Sequence, residues 1–137
     1  MENQFVSYEQ AIELKELGFD ELCWAWYNMP DEDVRYCFSE QRSPITNSHE
    51  EWSAQIWGKQ AENIGLPTFS QCFKWFREKY DYFCEIFVDD NKTFGFLISY
   101  FVEGGRVDKP IQRGYNSYEE AEDACLDKLI EIAKDKK

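Results

Sequence analysis

Residues 66–102 read LPTFSQCFKWFREKYDYFCEIFVDDNKTFGFLISYFV, and this stretch decides the fold class. In its first half, apolar residues recur every three or four positions, which is the spacing of one face of an α-helix. Thr68 and Gln71 have the spacing of a capping box, so we predict a helix over residues 69–80. The predicted buried face holds Phe69, Cys72, Phe73, Phe76 and Tyr80.

The second half of the stretch predicts two strands, over residues 82–88 and 94–102. Residues 89–92, Asp-Asp-Asn-Lys, have the length and composition of a hairpin turn. Along residues 94–102 both alternating faces carry apolar side chains, which indicates a central strand or a strand covered on both sides. From residue 103 to Tyr115 we expect irregular chain or one short strand.

Two further capping boxes predict helices near the ends of the chain. Ser7 and Gln10 open a helix that Gly18 ends, and Ser117 with Glu120 opens a helix over residues 118–133. The buried stripe predicted for the last helix is Tyr118, Ala121, Cys125, Leu129 and Ile132.

The middle of the chain is less regular. Residues 22–27 and 34–38 alternate and predict a hairpin in which Trp24 and Trp26 share one face. Residues 39–47 are polar and predict a loop. Residues 48–64 predict a helix that ends at Gly65, although Gly58 weakens that prediction.

These elements predict an α+β fold in which helices pack on at least one face of a mostly antiparallel sheet of about four strands. The chain has 137 residues and no shift of composition that argues for two domains. We therefore predict a single domain over residues 1–137.

Net charge narrows the possible partners. The chain carries −12 overall, and residues 1–33 alone hold nine acidic side chains against one basic side chain. A negative field repels nucleic-acid phosphates, so a protein partner is favoured over nucleic acid. Basic proteins would be attracted.

The sequence also predicts where the protein acts. No stretch approaches the ~18–20 apolar residues that span a bilayer, and the N-terminus lacks a basic region and an apolar core. We expect a soluble cytoplasmic protein with no membrane contact. The five cysteines are widely spaced without zinc-ligand spacing, so we expect reduced core thiols.

Catalytic and cofactor motifs are absent from the sequence. His49 is the single histidine, so a histidine-based catalytic site or a two-histidine metal site lacks its usual partner. Gly104-Gly105-Arg106 could cradle an anion, but a loop turn explains it as well. We expect no metal and no cofactor, and we predict that the protein is not an enzyme.

Two candidate contact surfaces remain. The first is a basic-aromatic flank of the central helix, which consists of Lys74, Trp75, Arg77 and Lys79. Trp and Arg are enriched in interface hot spots, and a base could stack on Trp75, although a ring that covers the edge of the core is the favoured interpretation. The second is an acidic surface at Asp31, Glu32 and Asp33, for which a solvated turn is the favoured interpretation.

Three segments resemble small proteins of unassigned function that are encoded by prophages and other mobile elements of Bacteroides-type gut bacteria. They are residues 67–80, residues 7–19 and residues 118–130, with the phrases Ser7-Tyr8-Glu9-Gln10-Ala11 and Tyr118-Glu119-Glu120-Ala121. The resemblance implies a bacterial cytoplasm and a mobile-element gene. It implies no activity, cofactor or site residue.

Together these features predict a non-enzymatic accessory protein that binds another protein. In its sharper form, the protein is an acidic inhibitor or nucleic-acid mimic that occupies a basic channel of a host protein. The alternative is a module that contacts single-stranded nucleic acid through the Trp75 flank. Oligomeric state is not predicted.

Overall fold

A computed structural model describes residues 4–29, 33–36 and 62–135. The chain divides into two compact units, Met1–Thr68 and Phe69–Lys137. The single domain predicted from the sequence stays a prediction.

The first unit opens with helix α1 (Tyr8–Glu16), whose capping box is confirmed. The Ser7 hydroxyl accepts a hydrogen bond from the Gln10 backbone N–H at 3.1 Å, and the Gln10 side chain accepts one from the Ser7 backbone N–H at 2.9 Å. These two bonds satisfy donors that a helix N-terminus leaves without intrahelical partners. The predicted helix start therefore has a definite chemical cause.

The end of α1 is also where the sequence predicts it. Gly18 has a φ of 101°, in the left-handed region that glycine tolerates. Its N–H donates to the Lys15 carbonyl at 3.0 Å, and the N–H of Phe19 donates to the Leu14 carbonyl at 3.0 Å. This pair of bonds is a Schellman motif. Because Leu14 and Phe19 are both buried, the motif also supplies the core.

A three-stranded antiparallel sheet completes the described part of this unit. Its strands are β1 (Ala25–Met29), β2 (Asp33–Tyr36) and β3 (Glu62–Leu66), in the order β2-β1-β3. Antiparallel pairing of β1 with β2 confirms the predicted hairpin. Helix α1 packs against β3.

Strand β3 shows that the helix predicted over residues 48–64 is wrong at its C-terminal end. Ile64 pairs with Tyr27 of β1, and both Ile64 and Leu66 are buried. Gly65 and Pro67 disfavour helix, and burial of alternate side chains favours strand. The remainder of that predicted helix and the predicted loop over residues 39–47 lie outside the described residues.

The prediction that Trp24 and Trp26 share one strand face is wrong. Trp26 is buried in β1, whereas Trp24 lies at a bend before the strand and is 51 % exposed. Alternation holds only within extended chain, so a strand that begins at Ala25 does not fix the direction of Trp24. Trp26 is a core residue and Trp24 is a surface residue.

The second unit alternates helix, sheet and helix. Its elements are α2 (Phe69–Tyr80), β4 (Tyr82–Val88), β5 (Phe94–Val102), β6 (Gly105–Asp108), β7 (Gln112–Tyr115) and α3 (Tyr118–Asp135). The four strands form an antiparallel sheet in which β5 pairs with β4, β6 and β7. The predicted central strand is therefore confirmed.

One face of this sheet carries the helices. Helix α2 packs against β4 and α3, and α3 packs against β4, β5 and β7. Tyr82, Phe96 and Ile98 are buried on that face, and the ring of Tyr82 lies 6.2 Å from that of Phe76 on α2. The α+β class and the four-stranded sheet with helices on one face are thus as predicted.

The chain between β5 and α3 contains two short strands, one more than the sequence predicts. Pro110 separates β6 from β7, and proline cannot donate a ladder hydrogen bond. Gly104 and Gly105 form the tight connection into β6, where Gly105 has a φ of 116°. This double glycine is therefore part of a hairpin turn.

Helix α3 buries most of its predicted stripe. Its buried residues are Ala121, Cys125, Leu126, Leu129, Ile130, Ile132 and Ala133. Tyr118 is the exception, because it is 46 % exposed. As the first residue of the helix it precedes the turns that lie over the sheet, so the predicted stripe is wrong at that position.

Candidate functional site

The predicted basic-aromatic flank lies on α2, but its tryptophan is not a surface platform. Trp75 is 7 % exposed. Its ring packs edge-on against Phe76 at 5.0 Å and against Tyr80 at 5.6 Å, and the Lys79 ammonium lies 5.5 Å from the ring centre. A base could not stack on Trp75 without displacing these neighbours, so the structure favours the interpretation of Trp75 as a core-edge residue.

The three cations of the flank are exposed. Lys74 pairs with Glu78 at 3.8 Å, one helical turn away, and such solvated pairs contribute little stability. The pKa of the Cys84 thiol on β4 is lowered, first by hydrogen bonding with Cys125 and further by the positive charge of Arg77. The flank therefore combines one buried ring with three solvated charges.

The predicted acidic surface at the first hairpin lies mostly outside the described residues. Asp31 and Glu32 are not among them. Asp33 begins β2, where it pairs with Asn28 of β1. Its backbone is extended and is part of the sheet ladder.

A larger acidic surface, which was not predicted from the sequence, lies on α3. Seven carboxylates and two lysines fall within the 18 residues of this helix. Six of the carboxylates are exposed, and we call them the acidic face: Glu119, Glu120, Asp123, Asp127, Glu131 and Asp135. Five of these six follow one another at intervals of four residues, so they are neighbours on the helix surface.

Like charges at this spacing oppose helix formation by roughly 0.2–0.5 kcal/mol per pair. Lys128 offsets part of that repulsion, because its ammonium pairs with Glu131 at 3.2 Å. At the start of the helix Glu120 accepts a hydrogen bond from the Asn116 N–H at 3.0 Å, which favours a negative charge there. The acidic face as a whole remains strongly negative.

A groove of about 270 Å³ runs between α3 and β7 and adjoins the acidic face. Its floor is aromatic, because the rings of Phe96 and Tyr115 stack at 5.9 Å. Asp127, Lys128 and Glu131 line its helix side, and Lys128 pairs with Glu131 there. Carboxylates beside an apolar floor suit a lysine or arginine, whose aliphatic stem packs on rings while its charged end meets the acids.

The other face of the sheet carries a second exposed aromatic pair. Phe83 and Phe101 are 40 % and 55 % exposed, and their rings meet edge-to-face at 5.8 Å. Beside them Asp108 accepts hydrogen bonds from Ser99 and Arg106, each at 2.7 Å. These bonds, that from Ser99 foremost, hold the pKa of Asp108 below its ordinary value of 3.8. Arg106 is thus already paired within the protein.

Within the part of the chain that the structure describes, no three or more His, Cys, Asp and Glu side chains are grouped so as to hold a metal ion. Over the same residues, every helix is too short or too polar to cross a membrane. Comparison of the chain with models of protein families, with curated proteins and with solved structures finds no match.

Proposed function

We propose that this protein is a non-enzymatic accessory protein, encoded by a bacterial mobile element, that binds a basic surface of another protein. The observation that carries the proposal is the acidic face of α3 beside its aromatic groove. An enzyme that acts on a basic partner would need reacting groups, whereas a binding protein needs only complementary charge and apolar contact.

Electrostatics favour a protein over a nucleic acid as the partner. Helix α3 carries a net charge of −5, and the whole chain carries −12. Such a field slows the approach of phosphates and speeds the approach of cationic surfaces. An acidic face of this kind could occupy a channel that normally holds nucleic acid, which is the inhibitory form of the proposal.

The groove supplies the specificity that charge alone lacks. A basic side chain that enters it buries its stem against Phe96 and Tyr115 and meets Asp127 or Glu131 at the rim. The apolar contact of the stem supplies most of the selectivity, because charge pairs at an exposed rim contribute little by themselves. We therefore expect the partner to insert lysine or arginine between α3 and β7.

The test compares two triple variants that lose the same charge. The acidic-face variant is Asp123→Asn, Asp127→Asn and Glu131→Gln. The control variant makes the same amide changes at three exposed carboxylates elsewhere: Asp20→Asn, Asp90→Asn and Glu103→Gln. Both variants shift net charge by the same amount, so a difference between them reports position.

Tagged wild-type protein is used to recover partners from a lysate of Bacteroides-type cells, with and without nuclease treatment. A recovered protein is identified by mass spectrometry and purified, and its Kd is measured with all three proteins at low and high salt. We expect a basic partner that resists nuclease and binds the acidic-face variant roughly tenfold more weakly, because three interfacial charge pairs are lost. The control variant should bind within about twofold of wild type.

Three outcomes would overturn the proposal. They are recovery of no protein, equal binding of both triple variants to the recovered protein, and recovery of nucleic acid that disappears with nuclease. The last outcome would instead favour the alternative function, in which the exposed cations of α2 contact single-stranded nucleic acid.

A further inference from the structure

Strand β4 lies at one edge of the four-stranded sheet. Among the described strands it pairs with β5 alone, and the register of that pairing is unbroken from Tyr82 to Val88. In an antiparallel ladder, residues that point their N–H and C=O groups to the neighbouring strand alternate with residues that point them away. Every second residue of β4 therefore directs its backbone groups to the side away from β5, which we call the β4 edge.

The β4 edge lacks the features that protect the opposite edge of the sheet. There, β6 and β7 have only four residues each, they carry Arg106, Asp108 and Arg113, and Pro110 separates them. Strand β4 has seven residues, a single charged side chain and neither proline nor glycine. A long edge strand with little charge is a template for the addition of another strand, and folded proteins normally avoid exposing one. The composition of β4 therefore favours a role in binding a strand.

The β4 edge presents an acidic side chain beside an exposed ring. Phe83 and Glu85 are exposed on the face of the sheet opposite the helices, because they alternate with Tyr82, which is buried against α2. Both residues line a depression of about 310 Å³, together with Leu97 and Phe101. A basic side chain on an added strand, placed opposite Glu85, would meet this carboxylate and lay its aliphatic stem on the ring of Phe83.

We propose that the β4 edge binds an extended segment of another protein as an added antiparallel strand, with a lysine or arginine of that segment opposite Glu85. Residues two positions before and after this basic residue lie on the same face of the added strand, beside Phe83 and Phe87, so they are apolar. Hydrogen bonds between the main chains supply the affinity, and the three side chains fix the register.

Charge favours a basic segment over a second copy of this chain. If two β4 edges paired with full antiparallel overlap, the two Glu85 side chains would lie opposite each other, and like charges in that position destabilise a sheet. The chain also carries −12 overall, so two copies repel each other while a basic segment is attracted. The inference goes beyond the proposed function, because the β4 edge and the groove beside β7 lie on opposite sides of β5.

The test uses the full chain labelled with nitrogen-15 and the synthetic peptide acetyl-Thr-Ile-Thr-Arg-Thr-Ile-Thr-amide, which has isoleucine two positions on either side of arginine. One control peptide has glutamate in place of the arginine. The other has the same residues without the alternation, in the order Ile-Ile-Arg-Thr-Thr-Thr-Thr. Binding is followed by NMR, through amide chemical shifts and hydrogen exchange.

The exchange pattern reports the added strand directly. We expect alternate amide protons of β4, which exchange with solvent in the free protein, to become about tenfold more protected when the arginine peptide is bound. Chemical-shift changes should centre on residues 82–88. The glutamate peptide and the peptide without alternation should give neither effect at the same concentration.

Charge reversal tests the register. Glu85→Lys should weaken binding of the arginine peptide roughly fivefold and strengthen binding of the glutamate peptide, because an opposite-charge cross-strand pair becomes a like-charge pair. Glu103→Lys is the matched control, since it makes the same change at an exposed position in the turn between β5 and β6. It should leave the Kd of the arginine peptide within about twofold of wild type, as should the acidic-face variant.

The inference fails if the alternate amides of β4 gain no protection, if the peptide without alternation protects them equally, or if Glu85→Lys binds both peptides as wild type does. Shift changes centred on α3 and β7 would place the peptide in the groove of the proposed function and overturn this inference alone. Protection of β4 in the free protein that rises with protein concentration would identify a second copy as the occupant, and protection independent of concentration would show that the chain itself covers the edge. Both results contradict the inference, and both are obtained with the unsubstituted protein.

Discussion

Gly95 occupies a position in β5 that has no room for a side chain. A Cβ atom built there would collide with the backbone carbonyl oxygen of Gln112 in β7 and would lie 2.8 Å from Cζ of Phe87. The strand register is irregular at this point, between Phe94 and Phe96. Glycine therefore allows β7 to approach β5 where the ladder is interrupted.

We expect Gly95→Ala to lower the free energy of unfolding by about 1–3 kcal/mol, because the strand or the Phe87 ring must move. Gly104→Ala is the control, since no atom lies within 4 Å of a Cβ at that turn position. It should change stability by less than about 0.5 kcal/mol. Urea unfolding of both variants measures the difference, and equal effects would show that β7 moves away without cost.

Asp89 organises the turn between β4 and β5. Its carboxylate accepts hydrogen bonds from the Asn91 N–H at 3.0 Å, the Thr93 N–H at 3.2 Å and the Thr93 hydroxyl at 2.6 Å. These bonds, that from the Thr93 hydroxyl foremost, lower the pKa of Asp89 below its ordinary value of 3.8. The ionised form is therefore bound more strongly in the folded state than in the unfolded state.

The resulting stabilisation should depend on pH. Because the folded pKa of Asp89 is depressed, its contribution is complete above pH 3.8 and is lost as pH falls through the lower folded value. Asp89→Asn should therefore destabilise the protein near neutral pH and have progressively less effect below pH 3.8. Urea unfolding across this range tests it, with Asp90→Asn as the exposed control in the same turn. A penalty for Asp89→Asn that does not vary with pH would contradict the assignment.

At the level of elements, helix caps explain why α1 and α3 begin where the sequence predicts. Ser117 accepts a hydrogen bond from the Glu120 N–H at 3.1 Å, as Ser7 does from Gln10. The return bond differs, because Glu120 accepts from the N–H of Asn116 instead of that of Ser117. The forward bond is common to both caps.

We expect Ser7→Ala and Ser117→Ala each to lower the free energy of unfolding by about 1 kcal/mol. Ser→Asp at the same positions should retain most of the stability, because a carboxylate also accepts from the helix N–H and favours the dipole. Ser70→Ala is the control, since Ser70 is exposed within the first turn of α2 and lies after the cap position. It should have an effect below about 0.5 kcal/mol in the same measurement.

Elements that depend on local sequence were predicted correctly, whereas an element that depends on tertiary pairing was not. Local signals, namely caps, alternation and turn residues, predicted α1, α2, β4 and β5, because each depends on neighbours within a few positions. The helix predicted to end at Gly65 is wrong over residues 62–64, because Ile64, Gly65 and Pro67 fit a helix end as well as a short strand. Only pairing with β1 decides between them, and pairing is a tertiary property.

The candidate sites follow the same division. The acidic face of α3 is predictable from the sequence, because carboxylates at a spacing of four residues share one side of a helix in the same way as apolar residues do. The burial of Trp75 depends on how the helices lie on the sheet. Periodicity fixes the face of a helix but does not fix which strand residue lies opposite.

For the whole molecule, charge is distributed unevenly along the chain. Carboxylates concentrate in the first 33 residues and again on α3, while the middle of the second unit carries balanced charge. Self-repulsion along α3 is tolerated because each pair of exposed like charges costs only roughly 0.2–0.5 kcal/mol. A basic partner would neutralise the α3 carboxylates directly, so binding should stabilise the helix that it contacts.

The two compact units have 68 and 69 residues. A core of that size rarely supplies more than about 3–5 kcal/mol by itself, so the single-domain prediction implies that both units unfold in one transition. Gly95→Ala destabilises the second unit, and Ser7→Ala destabilises the first. For either substitution, the slowest-exchanging peptides of the first unit and those of the second unit should lose the same free energy of protection against hydrogen exchange. Exchange read by mass spectrometry measures this unit by unit. If each substitution lowered protection only within its own unit, the units would unfold independently and the chain would contain two domains.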